Sequence, residues 1–333
     1  MKTEGVSYSE GFALVTVCII TKMFLGFLPD AVFRYGPSSP YVSIIAGLLS
    51  ISVFIFVKRE RWNPGKISGI ILYVYFILYF AMNLRETVRV IKIYNFQLTP
   101  AIIFSAVFLL VASVIVFSGK DAVTRLSSFY VKIIIGVFVI IFLLGLGQYD
   151  TVKLAPIGGY GMGRITEGIF TQLTLYLDVF LLFLFAPDDI KIQKKSGISA
   201  LLVSLALIAI SFASYIMVFD YTVSESKTSG LIEIVKNVYY GHLFQRMESI
   251  FFLVMVVSAG VSVCIWLFGA VKIYSGVFGI KDNKQLLFPT ALLVLCLSGL
   301  KLDTLYHLTG KYGGLFVFSV LVVSEVARRV KSR

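Results

Sequence analysis

The sequence predicts an all-α integral membrane protein: ten membrane-crossing helices in five-plus-five inverted repeats, with helices one and six broken. Three observations lead there. Of 333 residues, 58% are hydrophobic and 14% charged, with mean hydropathy +0.90. Soluble domains run near 45–50% apolar and about 25% charged, so that class is excluded. The apolar residues fall into ten runs long enough to cross a hydrocarbon core. The least helix-compatible sequence lies in the first and sixth runs, which a five-plus-five division places at corresponding positions.

The runs lie near 8–28, 39–57, 67–94, 99–117, 122–145, 166–186, 196–219, 242–272, 284–301 and 311–330. The third and eighth are long enough to tilt or to project beyond the bilayer. One transporter-like domain is expected over 1–333, with repeat one about 8–145 and repeat two about 166–330. Run one passes through Thr21, Gly26 and Pro29, and run six opens with Thr166, Gly168, Thr171, Gln172 and Thr174. In run six the polar residues either mark a break or hydrogen-bond back to helix carbonyls.

The net charge of +12 lies mostly between runs. Placing both termini in the cytoplasm puts KRERWNPGK, GKDAVTR, KIQKK and the tail RRVKSR on the basic side that loop charge favours. This distribution reads as topology, not as a nucleic-acid stripe. The N-terminal MKTEGVSYSE lacks the basic region and small-residue site of a removed signal peptide. Cys18, Cys264 and Cys296 sit within apolar runs without metal spacing and read as buried filler. Two connections are long. GGYGMG, in the first, follows no soluble strand and is read as a re-entrant or surface loop, not a dinucleotide site. Leu231 to Val238, in the second, read as a short interfacial helix. His242 and His307 have no partner ligands in sequence, and no cofactor or metal is expected.

Ionisable residues at depth carry the functional signal. Lys22, Lys132 and Asp178 fall roughly 15–21 Å into their spans at 1.5 Å per residue. Glu248 is shallower. A charge at bilayer depth costs about 2.5–3.5 kcal/mol on insertion scales and marks a pathway or a pair. Lys22 and Asp178, opposite in sign at similar depth, are expected to pair. Lys132 either snorkels or joins them.

KMFLGFLPD, NLRETVRVIKIYNFQLTPAIIF, GKDAVTRLSSFY, KLAPIGGYGMGRITEG and FQRMESIFFLVMV together resemble the spore germination GerAB/GerKB family. These are B subunits of endospore germinant receptors, within the amino acid–polyamine–organocation transporter superfamily. The resemblance covers about residues 8–325 and departs at Thr21-Lys22-Met23, where Ile-Gly-Thr is common. It implies a leucine-transporter-like fold that binds a small germinant, an amino acid or similar, between helices one, three, six and eight. It also implies an A subunit and a lipoprotein C subunit as partners, lipid around the chain, and residence in the spore inner membrane.

On that footing the ligand residues are expected at Thr21, Lys22, Phe24 and Gly26 in run one and Tyr75 and Tyr79 in run three. Phe170, Thr171 and Thr174 would join them where a half-helix N-terminus offers N–H groups to a carboxylate. In sodium-independent relatives a lysine ammonium stands in for sodium. Lys132 is similarly placed, and Lys22 serves the same end. Lys22, Lys132, Asp178 and Glu248 are therefore the candidate ion-site or charge-pair residues. The alternative is a proton-coupled amino acid permease, using Lys132 or Asp178. Neither reading is an enzyme.

Overall fold

The computed structural model describes residues 6–57, 66–94, 96–155, 158–185, 190–226, 229–237, 247–280, 284–300 and 302–331. It is helical throughout: α1 Tyr8–Thr21, α2 Phe27–Tyr35, α3 Ser39–Phe56, α4 Lys66–Tyr94, α5 Ala101–Phe117, α6 Lys120–Gly145 and α7 Met162–Gln172, then α8 Leu182–Phe185, α9 Ile190–Val218, α10 Gly230–Asn237, α11 Met247–Phe278, α12 Leu287–Gly299 and α13 Asp303–Lys331. Seven stretches among the described residues are long and apolar enough to cross a membrane, and α5 and α12 are shorter apolar helices. One of the seven joins α2 to α3 through the turn at Gly36–Ser38. The chain is an integral membrane protein, and its outer helices show it: α5 exposes Ile102, Val107, Leu110 and Val114.

Helix α1 begins on a capping box, with Ser7 and Glu10 each bonded to the other's backbone N–H. It is buried on nearly all sides from Ala13 to Thr21, as suits an interior helix. After the 3-10 turn Lys22–Phe24 the backbone becomes extended at Leu25 (φ −84°, ψ −178°). The chain restarts as α2 after Gly26, and Pro29 in its first turn lacks an N–H that a helix start does not need. Helix one is thus interrupted in its backbone. Gly36 then closes α2 at φ +61°, a conformation glycine adopts without the Cβ penalty.

The sixth run differs. α7 passes into a nine-residue 3-10 stretch, Leu173–Leu181, before α8. Such runs rarely exceed three or four residues, and one inside a helix marks strain or a hinge. This segment is the centre of the molecule: 83% of its apolar window is buried, against 39–61% in the other six stretches. Around it, α1 packs on α9, α6 and α11, α4 on α11, and α13 on α7, the 3-10 stretch and α4.

Several expectations shift. The last run begins at Asp303, not 311, because its polar first turns line a cavity and are not loop. The start of run eight, with His242, lies outside the described residues. Residues 158–161 form a mostly exposed turn in which Tyr160 packs edge-on against Tyr221, a surface loop. The expected interfacial helix exists as α10, but Leu231, Ile232, Ile234 and Val235 are buried within the protein. Cys18 and Cys264 are buried, whereas Cys296 is exposed among the outward apolar side chains of α12.

Candidate functional site

The interrupted helix and the 3-10 stretch meet at Lys22 and Asp178. Lys22 Nζ lies 2.7 Å from Asp178 Oδ2, with 4% and 1% of the two side chains exposed. The ammonium also donates to the Leu175 carbonyl at 2.7 Å and sits 5.0 Å from the centre of the Tyr79 ring. The carboxylate accepts further hydrogen bonds from Trp266 Nε1 at 3.1 Å and from the Tyr79 hydroxyl at 3.3 Å. A buried ion pair is tolerated only when its remaining hydrogen-bonding capacity is met, and here the Lys22–Phe24 turn, α4, α11 and the 3-10 stretch Leu173–Leu181 all contribute.

Lys22 and Tyr79 form the inner end of a cavity of about 430 Å³. Leu25, Gly26 and Phe27 line it from the interruption in helix one, where the first turn of α2 has N–H groups without intrahelical carbonyls. Thr171, Thr174, Asn83 and Tyr306 line its sides. Towards the surface its wall is charged. Arg85 bonds Asp303 at 2.6 Å, Arg34 bonds Asp30 at 2.9 Å, and Arg34 Nη1 lies 3.1 Å from His307 Nε2. Lys311 reaches Glu167 at 2.6 Å. The cavity can hold a molecule of amino-acid size, with an ammonium at its floor and both signs of charge along its walls.

The expected ligand residues divide. Lys22, Gly26, Tyr79, Thr171 and Thr174 line the cavity. Tyr75 does not; it stacks on Tyr79 (centroids 6.1 Å, interplanar angle 20°) and lines a smaller cavity beyond the pair. Thr21 is buried, donating to the Val17 carbonyl and accepting from Ser262. Phe24 is fully buried, edge-on to Phe138 of α6. Phe170 is 40% exposed, since the helical turn at α7 carries it away from the cavity.

The expected half-helix N-terminus at 170–174 is replaced by continuous helix passing into 3-10 geometry, which keeps the N–H groups bonded within the segment. Thr174 spends its hydroxyl elsewhere. It donates to the Gly310 carbonyl at 3.0 Å and accepts from the Gly314 N–H at 2.9 Å, standing inside the i to i−4 ladder of α13.

Lys132 is exposed on α6, as snorkelling requires, and the inward residue at that level is Tyr130, which donates to the Val254 carbonyl at 2.6 Å. Glu248 is half-buried in the first turn of α11 and lines neither cavity. Among the described residues no group of three His, Cys, Asp or Glu side chains is placed to hold a metal. Sequence reasoning missed Trp266, although a tryptophan in an apolar run carries a donor that needs a partner. It also missed Arg34, Arg85, Asp303 and His307, which read as loop or span-end charges and instead line the cavity.

A family model described as "Spore germination protein" matches residues 64–303. Spore germination protein KB of Bacillus subtilis (strain 168) is 26% identical over 244 residues, 70% of this chain and 65% of that protein. Spore germination protein A2 of the same organism is 26% identical over 180 residues, 53% of this chain and 49% of that protein. The matches therefore span about half to two thirds of these relatives. Among solved structures, Mhp1, a nucleobase-cation-symport-1 family transporter in a closed conformation with bromovinylhydantoin bound, aligns with TM-score 0.61 at 12% identity, over 92% of this chain and 76% of that one. A mutant of the manganese transporter of Eremococcus coleocola aligns with TM-score 0.55 at 13% identity, over 96% and 74% of the respective chains. At such identities the likeness speaks for the fold alone.

Proposed function

The chain belongs to the spore germination protein family, and on that premise we propose that it is the B subunit of an endospore germinant receptor. In this reading it is a transporter-fold sensor that binds a small nutrient, an amino acid or a related molecule, to trigger germination. The observation that carries the reading is the cavity of about 430 Å³ at the interruption of helix one, floored by the buried Lys22–Asp178 pair. A carboxylate would meet the third N–H of the Lys22 ammonium and the first turn of α2. Lys22 would hold the fixed positive charge that a sodium ion supplies elsewhere.

The same reading takes the whole chain as one domain of ten spans in two inverted repeats, about 8–145 and 166–330, with both termini cytoplasmic. It places the protein in the spore inner membrane beside an A subunit and a lipoprotein C subunit. The transporter-like fold supports a second reading, a proton-coupled amino acid permease using the same cavity with turnover.

Purified protein exposed to a panel of amino acids, sugars and nucleosides, followed by thermal unfolding, tests the first reading. An amino acid that raises Tm, with no uptake of its labelled form into proteoliposomes, is the expected result. Uptake above protein-free vesicles would move the assignment to the permease. A panel without any stabilising member would sink both.

A further inference from the structure

Two cavities meet the ion pair from opposite sides. The large one touches Lys22 and Tyr79 and not Asp178. A second, of about 50 Å³, touches Asp178, Tyr75 and Tyr79 and not Lys22, and its remaining lining is leucine, phenylalanine, isoleucine and valine. It extends towards Leu72 and Leu321, away from the charged mouth of the large cavity. The pair is therefore a septum, with the ammonium facing one compartment and the carboxylate the other.

Tyr75 gives the septum a direction. Its hydroxyl is buried and has no hydrogen-bond partner among the described residues. It is close to Gly313, where a Cβ would overlap it. A buried hydroxyl without a partner is costly in an apolar wall, and Tyr75 shares the smaller cavity with Asp178. The smaller cavity has the volume for water, which needs roughly 10–15 Å³ for each molecule, and Asp178, Tyr75 and Tyr79 are its polar lining residues.

We infer that Lys22 and Asp178 pass protons between the two cavities, through water that the Tyr75 hydroxyl positions in the smaller one. The Lys22 N–H bond breaks as an O–H bond forms on Asp178 Oδ2, leaving a neutral amine and a neutral acid. The acid releases its proton to water held between Asp178 and the Tyr75 hydroxyl in the smaller cavity. The amine takes a proton from water in the large cavity, restoring the pair. The net change is one proton moved, with no electron transferred and water the sole co-reactant. Among the described residues, the Tyr79 phenol and the Cys18 thiol of α1 are further titratable groups facing the pair. The relay needs no nutrient and does not rest on the receptor reading.

The test is proton entry into proteoliposomes holding a trapped pH-sensitive dye, driven by a potassium diffusion potential with valinomycin and without added nutrient. The intact protein should acidify the interior faster than protein-free vesicles do. Tyr75→Phe should slow entry by roughly tenfold, the effect of one hydrogen bond lost from the relaying water. It should also lower Tm, because a water bridge is lost. Lys22→Met/Asp178→Asn, which keeps the shape without the charges, should fall to the protein-free rate, while Lys132→Met keeps the full rate. Wild-type flux no greater than that of empty vesicles would overturn the relay. So would a Tyr75→Phe protein that conducts normally and melts higher, since that marks a dry pocket relieved of an unsatisfied hydroxyl.

Discussion

Replacing Lys22 with methionine keeps most of the side-chain volume and removes the charge. Asp178 would then stand 1% exposed with its carboxylate held, among the described residues, by Trp266 and Tyr79, at 3.1 and 3.3 Å. Leaving one member of a buried pair without its partner costs about 3–5 kcal/mol. The two remaining hydrogen bonds to the charge, each worth about 1.5–3 kcal/mol, are already present in the intact protein and offset none of the new loss. Asp178→Asn should cost a similar amount, because the ammonium keeps the Leu175 carbonyl but loses its counter-charge. The double variant Lys22→Met/Asp178→Asn should recover most of the stability, since neutral replacement of a buried pair is often neutral or stabilising. The assay is a double-mutant cycle on unfolding in detergent, with nutrient binding followed in parallel. A coupling of several kcal/mol is expected. Single-variant losses that add to within about 0.5 kcal/mol would refute a direct pair. Nutrient binding that survives in the double variant would make the pair a packing device only.

Three further outcomes are expected. Thr174→Val removes the hydroxyl from the ladder of α13 and should cost about 1–3 kcal/mol in thermal unfolding, with faster amide exchange at Gly314. Ser229→Ala deprives the Phe24 carbonyl, exposed by the interruption of helix one, of its 2.6 Å donor. A loss of about 1–3 kcal/mol should follow, read by the same melt, and no change would mean the carbonyl finds another partner. Lys132→Met alters an exposed residue and should leave stability within about 0.5 kcal/mol, whereas a larger fall would give Lys132 the interior role expected of it from sequence.

Legibility from sequence followed the cost of each feature. Lys22 and Asp178 stood out because a charge in an apolar run needs a reason, and their opposite signs at similar depth suggested each other. Gly26 and Pro29 marked the interruption of helix one because both act on the backbone locally. What stayed hidden depends on direction. Tyr75 and Tyr79 are one turn apart, and no sequence spacing says that Tyr79 lines both cavities while Tyr75 lines the smaller. Phe170 and Thr171 are neighbours, yet a turn of about 100° sends one outward and the other to the cavity. Arg85, at the end of the third run, and Asp303, between the last two runs, gave no sign of each other because their contact joins residues far apart in the chain. α10 was recognised as a helix from its amphipathic pattern, but the pattern cannot tell a membrane interface from the side of a neighbouring helix.

The two altered helices do different things, and their difference explains why one lysine suffices. Helix one opens its backbone at Leu25, which frees carbonyl and N–H groups and leaves Lys22 on the last turn before the gap. The sixth run keeps its hydrogen bonds but tightens to three residues per turn. In that geometry residues three apart eclipse each other along one side. Leu175 and Asp178 are three apart on this segment, and a single ammonium meets the backbone carbonyl of one and the carboxylate of the other, both at 2.7 Å. An α-helical turn would rotate the two by about 60° and lift them 4.5 Å rather than about 6 Å apart. The 3-10 stretch thus supplies both acceptors for one cation, and the open backbone of helix one lets the cation also face the cavity.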